Sequence, residues 1–161
     1  MSDLRVGFGL GSNLGDRKGR IAEALRLLQE RGVARLERIS RLYRTAPWGV
    51  TDQGDFANAC AVGWTALSAY ELLAAVKKIE ADMGRQPTRR WGPRVIDIDI
   101  LFLGETAIDD PELTIPHKEL FSRAFVLAPL AEIVPELWLG GASVGAAASA
   151  ADLSGVRPWD D

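Results

Sequence analysis

The stretch Val95-Ile96-Asp97-Ile98-Asp99-Ile100-Leu101-Phe102-Leu103 carries the plainest secondary-structure signal in the chain. Its β-branched and aromatic residues predict a strand. Because side chains alternate across a strand, Asp97 and Asp99 are expected on one face, about 7 Å apart, with the isoleucines on the other. Like charges side by side destabilise a strand, so this pair of carboxylates needs a physical explanation.

Two explanations account for the paired aspartates, and the spacing alone does not separate them. The first is an ordinary solvated strand face. The second is a divalent cation held between the carboxylates. Mg²⁺ typically takes one or two carboxylates and completes its octahedron with substrate phosphates and waters.

The ten residues before this strand favour the second explanation. They contain no acidic residue and four arginines, at Arg85, Arg89, Arg90 and Arg94. Pro87, Gly92 and Pro93 exclude regular structure there, so the segment is predicted to be a loop. Forked guanidinium groups suit phosphate oxygens, and two carboxylates beside loop arginines are typical of metal-assisted phosphoryl transfer.

The elements around this strand are predicted from periodicity and from capping and turn residues. They are a strand over 5–11, a helix from Asp16 to Gly32, a strand with a possible bulge over 33–44, a loop over 45–55, a strand over 56–65 and a helix from Ser68 to Met83. Together with the aspartate strand they predict an α+β, ferredoxin-like βαββαβ core with an antiparallel sheet. Short helices after Pro116 would cover the second face, giving an α-β-α three-layer arrangement.

Length and composition indicate one globular domain over residues 1–161. The chain is 47% hydrophobic and 25% charged, with a net charge of −3 that argues against nucleic acid as a partner. No apolar stretch is long enough to cross a membrane, and the first residues do not resemble a signal peptide, so a cytoplasmic protein is expected. The single cysteine, Cys60, is interpreted as a small buried apolar residue, and the Ala/Gly-rich tail over about 140–161 is assigned no chemistry.

Two glycine-containing patterns partly resemble phosphate-binding and RNA-binding motifs. The chain has no P-loop, and Leu14 occupies the third glycine of a dinucleotide fingerprint, so Gly9–Gly15 is interpreted as a tight turn from strand to helix. Residues 5–9 weakly resemble an RNA-recognition motif, but Val6 does not fit that motif. A noncatalytic nucleotide- or RNA-binding module on the same scaffold and another Mg²⁺-dependent phosphotransferase stay open as alternatives at this point.

The sequence Arg90-Trp91-Gly92-Pro93-Arg94-Val95-Ile96-Asp97-Ile98-Asp99-Ile100-Leu101 resembles the signature of the 6-hydroxymethyl-7,8-dihydropterin pyrophosphokinase family. The family's other landmarks resemble Gly11–Leu14, Tyr43–Pro47, Phe56–Ala59 and Pro116-His117. The resemblance implies an enzyme of folate biosynthesis, a 2-amino-4-hydroxy-6-hydroxymethyldihydropteridine diphosphokinase. Such an enzyme transfers diphosphate from ATP to the hydroxymethyl group of 6-hydroxymethyl-7,8-dihydropterin and releases AMP.

The same resemblance implies roles for individual residues. The metal ligands for two Mg²⁺ ions would be Asp97 and Asp99, and these would be catalytic together with Arg85 and Arg94. The ATP site would be lined by Glu80, Arg85, Arg89, Trp91, Arg94, Ile100, His117 and Arg123. The pterin site would be formed by Thr45, Ala46, Trp48, Phe56, Asn58 and Phe125, with the two phenylalanines sandwiching the ring and Asn58 reading its hydrogen-bonding edge.

The loops over 45–55 and 84–94 are predicted to close over bound ATP and pterin, because they are rich in Gly and Pro and lack periodicity. The only partners expected are these two small molecules, without nucleic acid or a membrane. A monomer is expected.

Overall fold

The computed structural model describes residues 3–46, 54–84 and 95–159. Within these ranges the main sheet has six strands: β1 (Leu4–Ser12), β2 (Arg35–Ile39), β3 (Tyr43–Thr45), β4 (Phe56–Thr65), β5 (Asp97–Leu103) and β10 (Val156–Pro158). Their order is β10-β3-β4-β1-β5, with β2 also paired to β4, and every pairing is antiparallel. This is the topology of the predicted ferredoxin-like core, so β5 and β10 lie at opposite edges of the sheet.

The first helix, α1 (Arg17–Glu30), begins and ends at the predicted signals. The Asp16 carboxylate accepts a hydrogen bond from the backbone N–H of Gly19, which satisfies a donor at the start of the helix. Gly32 follows the helix with a φ of +68°, a conformation that glycine adopts without steric cost. Helix α1 contacts β1 and β4 and thereby covers one face of the sheet.

The second helix, α2 (Ala69–Asp82), begins with a capping box. The Ser68 hydroxyl accepts from the N–H of Glu71, and the Glu71 carboxylate accepts from the N–H of Ser68. The helix buries Leu72 and Val76 against the same face of the sheet that α1 covers. The sequence predicted both the start of this helix and its apolar stripe.

The predicted strand over 33–44 is divided into β2 and β3. Its register against β4 shifts between Leu36 and Arg38, which confirms the expected bulge. Between the two strands, Ser40 and Cys60 exchange hydrogen bonds: the Ser40 N–H donates to the Cys60 carbonyl, and the Cys60 N–H donates to the Ser40 hydroxyl. The break lets the short β3 continue along β4 toward the functional site.

The second face of the sheet is covered by C-terminal elements, as predicted. Helices α3 (Ala124–Ile133) and α4 (Val144–Ala150) pack there with the short hairpin of β8 (Trp138–Leu139) and β9 (Ala142–Ser143). A second short hairpin, β6 (Ile108–Asp109) with β7 (Thr114–Ile115), packs instead against the core under α1 and α2. Their core includes Leu120, Leu127 and Leu130 against Val62 and Phe102 of the sheet. Among the described residues, no helix is long and apolar enough to cross a membrane.

Candidate active site

A cavity of 760 Å³ lies between the sheet and the start of α3. It crosses the sheet from β5 to β10. Its carboxylate end contains Asp97, Asp99, Glu119 and Arg123, and its tail end contains Thr45, Asp152, Ser154, Gly155 and Val156. The strands between them contribute the floor, including Gly9, Gly11, Phe56, Asn58 and Cys60. The first turn of α3 contributes Ala124, Phe125 and Val126.

The two aspartates share one face of β5, as the alternation predicts. Both line the cavity, whereas Ile98 and Ile100 are buried in the core under α1 and α2. The Asp99 Oδ2 atom lies 4.0 Å from His117 Nε2 and 3.9 Å from Arg123 Nη1. The fold therefore brings four predicted site residues, the two aspartates, His117 and Arg123, to one place.

The surroundings of Asp99 act on its charge in opposite directions. Burial raises the pKa of its carboxyl, His117 and Arg123 lower this pKa, and the neighbouring Asp97 raises it. The Asp99 side chain nevertheless keeps 42% of its surface exposed. A cation beside Asp99 would favour the ionised form of its carboxyl.

The imidazole of His117 is oriented by its backbone neighbours. Its Nδ1 atom accepts a hydrogen bond from the N–H of Glu119 at 3.2 Å, so the proton of the neutral ring is on Nε2, the atom that faces Asp99. Burial lowers the pKa of His117, although Asp99 opposes that shift. His117 thus presents an N–H donor, Nε2, at the carboxylate end.

Glu80 and Ile100 lie on the side of the sheet that α1 and α2 cover, away from the cavity. Glu80, on α2, is 3% exposed, and its Oε2 atom accepts a 2.7 Å hydrogen bond from the N–H of Ile98. The Ile100 side chain is buried in the core beneath the helices. Neither residue lines the cavity, so Glu80 contacts the strand that carries the aspartates and not the space between them.

The glycines of β1 correct one sequence interpretation. Gly9 and Gly11 are not part of a turn: they lie inside the strand and form part of the cavity floor. A Cβ atom on Gly11 would lie 3.1 Å from Asn58 Oδ1, and one on Gly7 would lie 2.2 Å from the Phe102 ring. Only Gly15, with a φ of +69°, serves the turn into α1. Gly7, Gly9 and Gly11 are two residues apart, so they lie on one face of the strand and leave that face without side chains. This spacing was the sequence signal for the floor.

The predicted pterin residues that the structure describes all line the cavity. Asn58 is buried, and its Nδ2 donates a 2.7 Å hydrogen bond to the hydroxyl of Thr45, which directs Asn58 Oδ1 as an acceptor toward the cavity floor at Gly11. Phe56 and Phe125 are half-buried and line the same cavity. Ala46 is exposed at its margin.

Several cavity residues carried no role in the sequence interpretation. They include Gly9, Gly11, Cys60, Glu119, Ser122, Asp152, Ser154, Gly155 and Val156. Cys60 is fully buried, and burial raises the pKa of its thiol, which agrees with its interpretation as a small core residue. The residues from the C-terminal tail reach the cavity only because β10 pairs with β3.

Five predicted site residues lie outside the described ranges: Trp48, Arg85, Arg89, Trp91 and Arg94. The predicted closure of the two loops falls largely on the same undescribed ranges.

The donor set at the carboxylate end fits a hard divalent ion that shares its coordination with a substrate. In the described part of the chain, no three His, Cys, Asp or Glu side chains form a metal-binding group. Two carboxylates on one strand face leave most coordination positions to phosphate oxygens and water, which is the arrangement that Mg²⁺ prefers.

Comparison with known proteins agrees with this site. Residues 7–135 match the model of the 7,8-dihydro-6-hydroxymethylpterin-pyrophosphokinase (HPPK) family. The chain belongs to the HPPK family. It is 45% identical to the 2-amino-4-hydroxy-6-hydroxymethyldihydropteridine pyrophosphokinase of Methylorubrum extorquens, over 95% of this chain and 97% of that protein. It is 38% identical to the Bacillus subtilis enzyme of the same name, over 93% of this chain and 87% of that protein.

Fused HPPK proteins show the same relationship over part of their length. The chain is 49% identical to a mitochondrial folate synthesis bifunctional protein of Arabidopsis thaliana, over 83% of this chain and 24% of that protein. An HPPK-DHPS crystal structure in complex with substrates superposes with a TM-score of 0.79 over 98% of this chain and 47% of that chain, at 14% identity. This likeness confirms the fold.

Membership in the HPPK family decides between the three functions that the sequence left open. The chain is an ATP-dependent pyrophosphokinase of folate biosynthesis, with ATP and the hydroxymethyldihydropterin as substrates. A noncatalytic nucleotide- or RNA-binding module and an unrelated phosphotransferase are thereby excluded.

Proposed function

We propose that this HPPK binds the triphosphate of ATP at the carboxylate end of the cavity and the pterin ring toward its tail end. The observation that carries this assignment is the position of Asp97 and Asp99 at one end of a cavity whose middle holds Phe56, Asn58 and Phe125. The pterin's hydroxymethyl group then points at the aspartates and the transferred diphosphate.

Asp97 and Asp99 are the proposed ligands of two Mg²⁺ ions. When bound, these ions neutralise phosphate charge and orient the attacking and leaving oxygens. The chain's own contribution is to hold both carboxylates on one strand face, with Arg123 3.9 Å from Asp99 supplying further positive charge.

His117 and Glu80 are proposed to contribute to ATP binding, the first directly and the second through β5. His117 donates from Nε2 toward the phosphates, and Glu80 positions the strand through Ile98. Because the Ile100 side chain is buried, its contact with ATP would come from the backbone at the sheet edge.

The arginine loop supplies the other proposed contacts with ATP. Arg85 and Arg94 are assigned to the phosphates and the chemical step, and Arg89 and Trp91 to ATP binding, on their sequence resemblance to the family. Arg94→Ala is expected to lower kcat more than it raises the Kd for ATP, and the reverse result would make Arg94 a binding residue.

The pterin contacts are proposed from residues in the middle of the cavity. Phe56 and Phe125 stack on the flat heterocycle, and Asn58 Oδ1 accepts from its donor edge. Thr45, Ala46 and Trp48 complete this subsite. Closure of the loops 45–55 and 84–94 would exclude water and suppress ATP hydrolysis.

A product assay tests the proposed reaction. Protein, ATP, Mg²⁺ and the reduced pterin are incubated together, and the nucleotide product is identified by chromatography. AMP in equal amount to pterin diphosphate is expected, whereas ADP would contradict diphosphate transfer. Omitting the pterin is the control, since AMP formed without it would be hydrolysis.

The protein is further proposed to act as a cytoplasmic monomer. Sedimentation at the concentration used for the assay measures the oligomeric state, and a stable dimer would contradict the proposal.

A further inference from the structure

We infer that the C-terminal segment Asp152–Val156 is the outer wall of the pterin subsite and sets the affinity for the pterin ring. This inference rests on the proposed function, because it uses the assignment of the pterin to the tail end. The sequence gives no reason to expect such a role in an Ala/Gly-rich tail.

Sheet topology places the segment opposite the aspartates. Strand β10 pairs with β3 in a register that sets Val156 beside Thr45, and Thr45 is a predicted pterin residue. β10 and β5 are four strand spacings apart, or about 19 Å at roughly 4.8 Å per spacing. Since the hydroxymethyl group must reach the carboxylate end, the pyrimidine half of the ring points toward β10.

The segment is held in a defined conformation. The N–H of Ser154 donates to Asp152 Oδ1 at 3.0 Å, and the N–H of Val156 donates to the carbonyl of Leu153 at 3.0 Å. Leu153 packs against the core formed by α3 and α4. The wall is therefore a preformed turn, which costs little ordering entropy when a ligand binds.

Trp159 anchors the wall from the other side of the sheet. Its backbone N–H donates to the backbone carbonyl of Leu42 at 2.9 Å, and the Arg44 guanidinium lies 4.0 Å from the centre of its ring. Arg17 of α1 lies 5.7 Å from the same ring. These cation–π contacts join the end of the chain to β3 and to α1.

The chemistry of the wall matches the part of the ligand that reaches it. The pyrimidine half of a pterin carries an amino group and a ring N–H, both hydrogen-bond donors. Asp152 and Ser154 place a carboxylate and a hydroxyl at this end of the cavity, and Val156 adds an apolar surface beside Thr45. A donor-rich, flat heterocycle fits such a surface.

Two variants and a matched control test the role of the wall. Val156→Glu places a longer side chain in the apolar part of the tail end. Trp159→Ala removes the ring that Arg17 and Arg44 contact, whereas Trp159→Phe keeps an aromatic ring. Arg157→Ala is the control, because Arg157 is exposed on the same strand and does not line the cavity. The readouts are the KM for the reduced pterin, the KM for ATP, and the Kd of a nonhydrolysable ATP analogue.

Val156→Glu is expected to raise the KM for the pterin by ~10-fold or more, equivalent to about 1.4 kcal/mol, since the longer side chain would fill part of the space assigned to the ring. The KM for ATP and the Kd of the analogue should stay within about twofold, the precision at which such constants separate binding effects. Trp159→Ala should shift the pterin constant in the same direction, and Trp159→Phe and Arg157→Ala should match the wild type.

Hydrogen exchange on the wild-type protein provides a measurement that does not depend on folding of any variant. Adding the pterin to the complex with the ATP analogue should slow exchange over 152–156. Equal pterin constants in Val156→Glu and wild type, equal losses of pterin and ATP-analogue binding in both variants, or unchanged exchange over 152–156 would each overturn the inference. A wild-type protein that forms no AMP would instead overturn the proposed function.

Discussion

The carboxylate of Glu80 accepts a 2.7 Å hydrogen bond from the backbone N–H of Ile98, the residue between Asp97 and Asp99. Among the described strands β5 is an edge strand, so none of them pairs with this N–H, and the buried helix side chain accepts from it instead. This hydrogen bond fixes the position of the segment that carries Asp97 and Asp99 relative to α2. Glu80 therefore acts on the site through the strand.

Removing this acceptor should lower stability and activity together. Glu80→Ala leaves a buried N–H unsatisfied and is expected to cost about 1–3 kcal/mol in the free energy of unfolding. Glu80→Gln retains an acceptor oxygen and should cost less. Urea denaturation measures the stability and the AMP assay measures kcat; a Glu80→Ala protein as stable as the wild type would contradict the positioning role.

Each site aspartate should be needed for turnover. Asp97→Ala and Asp99→Ala are expected to lower kcat by ~10²-fold or more, the size of effect seen when one preorganised electrostatic group is lost. Asp109→Ala is the matched control, because Asp109 is exposed on β6 and does not line the cavity. Near-native activity of either site variant would eliminate the assignment of both residues to the metal.

Substitutions at two glycines of β1 should affect different properties, pterin binding at Gly11 and stability at Gly7. A Cβ atom on Gly11 would press on Asn58 Oδ1 at 3.1 Å, so Gly11→Ala should raise the KM for the pterin by roughly fivefold, equivalent to about 1 kcal/mol. Gly7→Ala forces the buried Phe102 ring to move and should cost about 1–3 kcal/mol of stability. Steady-state kinetics and thermal denaturation of both variants check this contrast, and an unchanged pterin KM in Gly11→Ala would contradict the floor assignment.

Alkaline pH should weaken the contact between β3 and α3. Tyr43 donates a 2.7 Å hydrogen bond to Glu132, and burial, followed by this bond, raises the pKa of Tyr43 to about 12. Between pH 10 and about 12 the unfolded chain has lost the tyrosine proton and the folded chain has kept it, so stability falls as the pH rises through this window.

Tyr43→Phe should reduce that alkaline loss of stability. The free energy of unfolding of wild type and variant is compared by urea denaturation at pH 9 and pH 11, where the difference isolates Tyr43 from the other titrating groups. The variant should be the less stable protein at pH 9, because the bond to Glu132 is lost. An identical decline between the two pH values in both proteins would show that Tyr43 does not titrate with a raised pKa.

The predictable parts of the site were those encoded over short distances along the chain. Alternation in β5 placed Asp97 and Asp99 on one face without any knowledge of the partners of that strand. The capping residues Asp16 and Ser68 likewise marked the helix starts, because a cap is satisfied within three residues. Asn58 and His117 were named through the family resemblance, and the structure then showed their hydrogen bonds.

The sequence by itself determined the βαββαβ order of the core, the placement of the aspartate pair on one strand face and the family, since periodicity, capping and a specific motif are all local properties. Only the tertiary structure decided that Glu80 points at the aspartate strand, that Gly9 and Gly11 form a floor, and that the tail returns to β3 as β10. The physical reason is that these features depend on pairing and packing between residues far apart in the chain. An Ala/Gly-rich segment has little local conformational preference from which such a strand pairing could be predicted.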